Sequence, residues 1–370
     1  MIIGILKEIK AEENRVALTP GGVEVLVQNE HKVLFERDAG RASGFPDAAY
    51  SEMGAEIIEK PSDIFSNAEM IIGVREPQPQ EYELIREDQI FLKFFHLAVS
   101  EELTHFLLKT GAIYVAYETI QKRDGSLPLL TPMSEIAGPM SIQEGAKYLE
   151  MAQGGHGILL GGVPGVDPGT VLILGGGVVG MNAAKMACGL GAKVYLLDIK
   201  LERLRYLSDV MPSNCFLLMS NPSTIRRLAK EADLIVGSVL IPGSKTPTLI
   251  TRDMLKTMKK GTVMVDVAID QGGCFETSKP TTHSDPIYVV DDVVHYCVGN
   301  MPGAVPKTST VALTNASLPY VVEIANKGWE KVFEENSEIR CGANVVKGNV
   351  THKGVADALG LEYVPVENLV

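Results

Sequence analysis

Residues 171–198 read VLILGGGVVGMNAAKMACGLGAKVYLLD. Four apolar residues lead into Gly175, Gly177 and Gly180 at G-x-G-x-x-G spacing, an Ala-rich stretch follows, and a second apolar run closes on Asp198. Three glycines alone are a weak signal; in the order strand, turn, helix, strand, acid they form a dinucleotide-binding fingerprint. The first permits a tight turn, the second lets backbone N–H groups approach a pyrophosphate, and the third lets the helix pack closely. Val178 and Val179 belong to the same turn, and the helix N-terminus adds the positive end of its dipole. A carboxylate at 198 accepts hydrogen bonds from ribose hydroxyls and repels a 2′-phosphate, which favours NAD over NADP. Arg203 and Arg205 follow closely; Arg203 is counted with the cofactor residues, and the alternative for both is a solvated helix surface.

Outward from this stretch, short apolar runs alternate with helical ones. VLIL, KVYLLD, CFLLM, LIVGSV, TVMVDVAI and IYVV make a series close to the six strands of a doubly wound sheet; upstream, IIGIL, KVLF, MIIGV, FLKFF and AIYVAYETI make another. The expected fold class is α/β, with two Rossmann-like doubly wound domains and a cleft between them. Thr19-Pro20 and Thr131-Pro132 each set a capping hydroxyl before a proline and mark two helix starts. The Gly-rich stretch AQGGHGILLGGVPGVDPG is a boundary candidate, or else one mobile loop. After Pro306 the pattern turns helical, TSTVALTNASLPYVVEIANKGWEKVFEEN, without strands of its own, and is expected to return to the first domain. The expected division is therefore residues 1–130 with 307–370, a discontinuous substrate domain, and residues 131–306, a nucleotide-binding domain.

Composition narrows the function. A chain of 370 residues exceeds what one core usually supports. A formal net charge of −12 repels nucleic acid and anionic lipid, so neither is an expected partner. The five cysteines are odd in number and widely spaced, with no C-x-x-C pair, so reduced thiols are expected and no metal is called for. The opening MIIGILKEIKAEENRVALTP lacks an apolar h-region and a cleavage site, and no apolar run approaches the roughly 20 residues that span a bilayer. The expected location is the cytoplasm.

Open α/β sheets bind ligands beyond the carboxyl ends of their strands. Asp270, between the run TVMVDVAI and the turn QGG, fits that rule, whereas Asp266 inside the run reads as a buried structural acid. His96 ends IFLKFF and can act as acid or base, although packing is the commoner fate of such a histidine. Arg15 and Arg75 add two cations near the same rim; either can bind a carboxylate or form a surface ion pair.

NRVALTP, HLA at 96–98, PLLTPMSEIAG, GGVPGV, DVAIDQGGCFE, NMPGAVPKTST and ALTNASLPYV, with the fingerprint, resemble alanine dehydrogenases from about residue 1 to 365. That family is related to the nucleotide-binding part of proton-translocating transhydrogenase and to saccharopine-type dehydrogenases. The resemblance implies NAD-dependent, reversible conversion of L-alanine to pyruvate and ammonia in a homo-oligomer, commonly a hexamer. It implies that Arg15 binds the substrate carboxylate, that His96 serves as acid or base, and that Asp270 assists amine and water chemistry. Cofactor contacts carry onto Ser134, Ser220, Val239, Leu240, Asn300 and Met301. One residue departs: where the family usually has V-K-E-P, this chain has VREP, with Arg75 in the lysine's place. Lysine can lose its proton and arginine effectively cannot, which leaves open another small 2-oxo acid such as glyoxylate, or an impaired NAD-binding protein.

Overall fold

The computed structural model describes residues 1–239 and 246–370. The chain forms two compact units, Met1–Met133 with Gly303–Val370, and Ser134–Pro302. The Gly-rich stretch therefore lies inside the second unit and is no boundary.

In the first unit β1 (Ile2–Ile5), β2 (Lys32–Glu36), β3 (Glu56–Ile58), β4 (Met70–Ile72), β5 (Ile90–Lys93) and β6 (Ile113–Ala116) run parallel in the order 3-2-1-4-5-6. In the second, β7 (Thr170–Leu174), β8 (Lys193–Asp198), β9 (Cys215–Met219), β10 (Leu234–Gly237), β11 (Val263–Asp266), β12 (Ile287–Val290) and β13 (Val293–Tyr296) stand in the order 12-13-11-10-7-8-9. Both are doubly wound α/β sheets, as the alternation of apolar and helical runs predicts. β5 and β6 are buried along their whole length, which is why, apart from Lys93 at the end of β5, they read as apolar runs with no polar face.

Two hairpins depart from the sequence reading, and they share a cause. IYVV (β12) is an antiparallel edge strand, and the sixth parallel strand is VVHY (β13), reached through Asp291 and Asp292 at φ of 49° and 61°. The segment after Pro306 is helical over Pro306–Lys327, Trp329–Glu335 and Ser337–Gly342, but it then adds β14 (Ala343–Val346) and β15 (Asn349–Val350) beside β6. Lys347 and Gly348, at φ of 46° and 79°, make that turn. Two successive left-handed residues match the twist of the flanking strands, and Asp-Asp and Lys-Gly are muted forms of the usual Asn-Gly signal.

Helix Pro20–Gln28 begins as the sequence predicts, with Thr19 Oγ1 accepting from the Gly22 N–H at 3.3 Å. Helix Thr131–Tyr148 starts within a residue of the expected point, but the Thr131 hydroxyl is no cap: it donates to the Leu127 carbonyl at 2.9 Å. In the first unit the buried rings of Phe91, Phe95 and Tyr114 pack with Leu6 and Ile71. The Tyr114 ring centroid lies 5.2 Å from that of Phe91 and 5.5 Å from that of Phe95. Each large apolar side chain removed from water contributes about 1.5–3 kcal/mol. Phe95 sits in this cluster directly before His96, so the core fixes where the histidine begins.

Candidate active site

In each unit the strand order reverses between two neighbours, β1 and β4 in the first and β7 and β10 in the second. The loops leaving such a pair diverge and open a crevice beyond the strand ends.

At the second unit's switch point Gly175 takes a φ of 104°, a conformation costly for any residue with a Cβ. A Cβ on Gly180 would lie 1.8 Å from the Gly175 carbonyl oxygen, so helix Val178–Gly189 rests on its strand only with glycine there. At Gly177, the residue preceding that helix, a Cβ would meet nothing within 4 Å. Open space beside a helix N-terminus whose first N–H groups lack intrahelical partners is what a pyrophosphate requires. The residues present thus fit a dinucleotide.

Asp198, at the end of β8, accepts the N–H of Gly176 on one oxygen and that of Lys200 on the other, both at 2.8 Å. Arg203 is no freely solvated charge: its Nε donates to the Gly176 carbonyl at 2.5 Å. Ser220 donates its N–H to the Asp198 carbonyl at 2.9 Å. Val239 follows β10 and faces Gly175, where a Cβ would come within 3.0 Å of its Cγ2. Leu240 lies outside the described residues. Ser134 is half-buried in the first turn of its helix; one turn later Gly138 lies so close to Val179 that a Cβ would come within 2.5 Å of its carbonyl oxygen.

Asp270 lies four residues past β11, on the short turn Ile269–Gln271, and is exposed. Its Oδ2 accepts the Asn300 N–H at 3.2 Å, and Asn300 takes a left-handed φ of 56°. Met301 is buried immediately after it. Two sequence-predicted residues distant in the chain are thereby brought together. Asp266 is fully buried and accepts from the N–H groups of Ala268 (3.1 Å) and Cys274 (2.8 Å) and the Ser278 hydroxyl (2.5 Å). It is a structural acid, as its place inside the strand implies.

At the first unit's switch point Arg15 follows β1 and Arg75 follows β4. Arg15 is 2% exposed and grips Glu13, with Nε to Oε1 at 2.7 Å; its Nη1 lies 3.1 Å from Met133 Sδ. It is a buried paired cation rather than a surface one. Arg75 sets Nε 3.1 Å from Glu76 Oε2, and Lys10 also pairs with Glu76. Burial works to raise the Glu76 pKa, but Arg75 and Lys10 outweigh it and hold the carboxyl below its usual range.

His96 is half-buried and left-handed, at φ 52°, and its N–H donates to Glu118 Oε1 at 2.6 Å. The turn Leu97–Val99 that follows packs against helix Lys353–Leu359. Sequence reasoning missed Glu118 and Glu13, the carboxylates that seat His96 and Arg15. AIYVAYETI reads as one long strand, whereas β6 ends at Ala116 and Glu118 lies in the turn beyond it. Strand-end position is the signal that could have found Glu118.

Two doubly wound units, one carrying a complete glycine turn with its acid, define an α/β protein whose second unit fits a dinucleotide. The chain belongs to the alanine dehydrogenase/PNT family, whose N-terminal domain matches residues 4–137 and C-terminal domain residues 141–353. It is 54% identical to an alanine dehydrogenase of Staphylococcus haemolyticus, covering 100% of this chain and 99% of that one. It is 53% identical to one from Methanococcus maripaludis, covering 99% of each. A solved L-alanine dehydrogenase superposes with a TM-score of 0.94 at 49% identity, covering 97% of this chain and 99% of the other. A transhydrogenase from Sinorhizobium meliloti shares the fold, with a TM-score of 0.81 at 23% identity over 95% of this chain and 99% of that one. No helix among the described residues is long and apolar enough to cross a membrane.

Proposed function

We propose that this chain is an NAD-dependent dehydrogenase that reversibly converts L-alanine and water to pyruvate and ammonia. The observation that carries the reading is the glycine turn of residues 175–180, a pyrophosphate cradle with an ordered acid; in the other unit, taken by itself, Arg15 and Arg75 follow the two strands of the switch point and His96 follows β5. Full-length similarity to proteins named alanine dehydrogenase supports the same substrate.

In this reading the unit of residues 134–302 is the nucleotide-binding domain and the other is the substrate domain. Gly175, Gly177, Val178, Val179 and Gly180 hold the pyrophosphate and Asp198 the adenosine ribose, with Arg203 bracing the turn. Ser134, Ser220, Val239, Leu240, Asn300 and Met301 complete the cofactor contacts. NAD, when bound, takes the α-hydrogen of the amino acid as hydride.

Arg15 and Arg75 pair with the substrate carboxylate and fix the orientation of its Cα. Arg75 keeps its charge and cannot act as a general acid or base at working pH, so proton movement falls to His96 and Asp270. His96 withdraws a proton from the attacking water and returns one in the reverse direction. Asp270, exposed and anchored to the Asn300 N–H, steadies the developing iminium charge before water converts it to the oxo acid. A homo-oligomer, commonly a hexamer in the family, is part of the proposal and is measured by light scattering.

The experiment is absorbance at the NADH band with NAD and L-alanine, then with NADH, ammonia and either pyruvate or glyoxylate. Turnover with alanine and pyruvate, with little for glyoxylate, is expected. Preference for glyoxylate would replace the substrate, and NADH binding without any turnover, the reading toward which the Arg75 departure points, would reduce the chain to a nucleotide-binding protein.

A further inference from the structure

Lys93 ends β5 and is 2% exposed. Among the described residues no carboxylate lies within 4 Å of its ammonium. A buried cation without a close partner is costly, so a lysine there calls for a reason. Its side chain lies across Gly73, where a Cβ would stand 2.4 Å from Lys93 Cε and 2.8 Å from Nζ. The same point is 3.0 Å from Glu8 Oε1, so the two charged groups flank one glycine.

Glu8 in turn accepts the N–H of Val74 on Oε1 at 2.6 Å and that of Arg75 on Oε2 at 3.3 Å. The main chain of β5 holds the same segment from the other side: Gly73 N–H donates to the Leu92 carbonyl at 3.1 Å, and Phe94 N–H to the Val74 carbonyl at 3.0 Å. These four bonds to the backbone of residues 73–75 all come from Glu8 or from the neighbours of Lys93. We propose that Lys93, acting on Glu8 across Gly73 from beyond ion-pair distance, steadies the carboxylate that fixes the backbone of residues 73–75 and so aims the side chain of Arg75. Lys93 is thus a positioning residue, and the proposal rests on the reading that Arg75 binds the substrate carboxylate.

The pair is poised to respond to pH. The Glu8 carboxyl is raised to about 7, chiefly by burial with help from Glu13 and Glu81, against the pull of Lys93 and of the Val74 N–H. Tyr117 faces it from the end of β6, its hydroxyl raised by burial and then by Glu8. Ionised Glu8 accepts both N–H groups fully; protonated Glu8 holds them less well.

The test is pyruvate affinity for the NADH-loaded enzyme, read by NADH fluorescence without ammonia from acid to alkaline pH. In wild type, binding should tighten as pH rises through about 7. In Lys93→Met it should weaken about tenfold, the size of one misaimed charge-assisted hydrogen bond, and the midpoint should move up by about one pH unit. Lys93→Arg should restore most of both, Glu8→Gln should abolish the midpoint, and NADH affinity should stay within about twofold throughout. Unchanged pyruvate affinity and midpoint in Lys93→Met would overturn the proposal. Should Lys93→Met not fold, an unmoved midpoint in Glu8→Gln overturns it equally. Wild-type protein that binds NADH but neither binds pyruvate nor turns over alanine would instead remove the functional reading, and this inference with it.

Discussion

Gly176 and Asp198 are joined across the glycine turn, the Gly176 N–H donating to Asp198 Oδ2 at 2.8 Å. With Lys200 N–H on the other oxygen, the carboxylate is set in place by the fold before a ribose can reach it. Asp198→Ser should therefore act twice, removing the ribose acceptor and loosening the turn. The expected result is a KM for NAD raised about tenfold or more, at 1.5–3 kcal/mol for a hydrogen bond to a charged group. Discrimination against NADP should narrow. Comparing kcat/KM for the two cofactors checks it, and an unchanged ratio would remove Asp198 from ribose recognition.

Gly177 and Gly180 separate ligand space from protein space. Gly180→Ala drives a methyl into the Gly175 carbonyl at 1.8 Å and should lower the melting temperature of the free protein by several degrees, as overpacking of about 1–3 kcal/mol does. Gly177→Ala meets no protein atom within 4 Å and should melt like wild type while binding NADH about tenfold or more weakly. Calorimetry of the free protein with NADH titration tests both. Wild-type NADH affinity in Gly177→Ala would mean that no pyrophosphate passes there.

The two sheets were legible because parallel strands buried on both faces show as apolar runs, and the fingerprint because its glycines answer to sterics that act locally in sequence. Asp270 was singled out by the strand-end rule, although its place in a turn beyond β11 was not visible. What stayed hidden depends on contacts between distant segments. Nothing near His96 in the chain points to Glu118, 22 residues away, and although Glu13 stands only two residues before Arg15, that the two are buried together follows from the packing around them and not from their spacing. The hairpins β12–β13 and β14–β15 were missed because Asp-Asp and Lys-Gly are weak turn signals beside strong helical and strand patterns.

The Arg15–Glu13 pair makes simple truncation of Arg15 a poor test of substrate binding. Glu13 is 5% exposed, so Arg15→Met leaves a buried carboxylate without its guanidinium, a loss of about 3–5 kcal/mol in comparable cases. The double variant Arg15→Met with Glu13→Gln should recover most of that stability yet bind pyruvate no better than the single one. Chemical denaturation and pyruvate titration of the three proteins distinguish the effects. Recovery of pyruvate binding in the double variant would show that Arg15 serves packing and not the substrate.

Glu8 sets a pH dependence of stability whose sign runs against the usual acid. Its carboxyl is raised from 4.5 to about 7, chiefly by burial, so the folded protein holds the proton more tightly than the unfolded chain does. The stabilisation this gives is complete below about 4.5 and is lost as pH rises through 7, because an anion must then stay in a desolvated place. Glu8→Gln is neutral throughout and escapes that loss. The melting temperature of the variant relative to wild type should therefore climb by a few degrees between pH 5 and pH 8, the scale of a one- to two-kcal/mol effect in a chain of this size. Differential scanning calorimetry across that range measures it. A difference that stays flat with pH would mean that Glu8 ionises as freely in the folded protein as in the unfolded one.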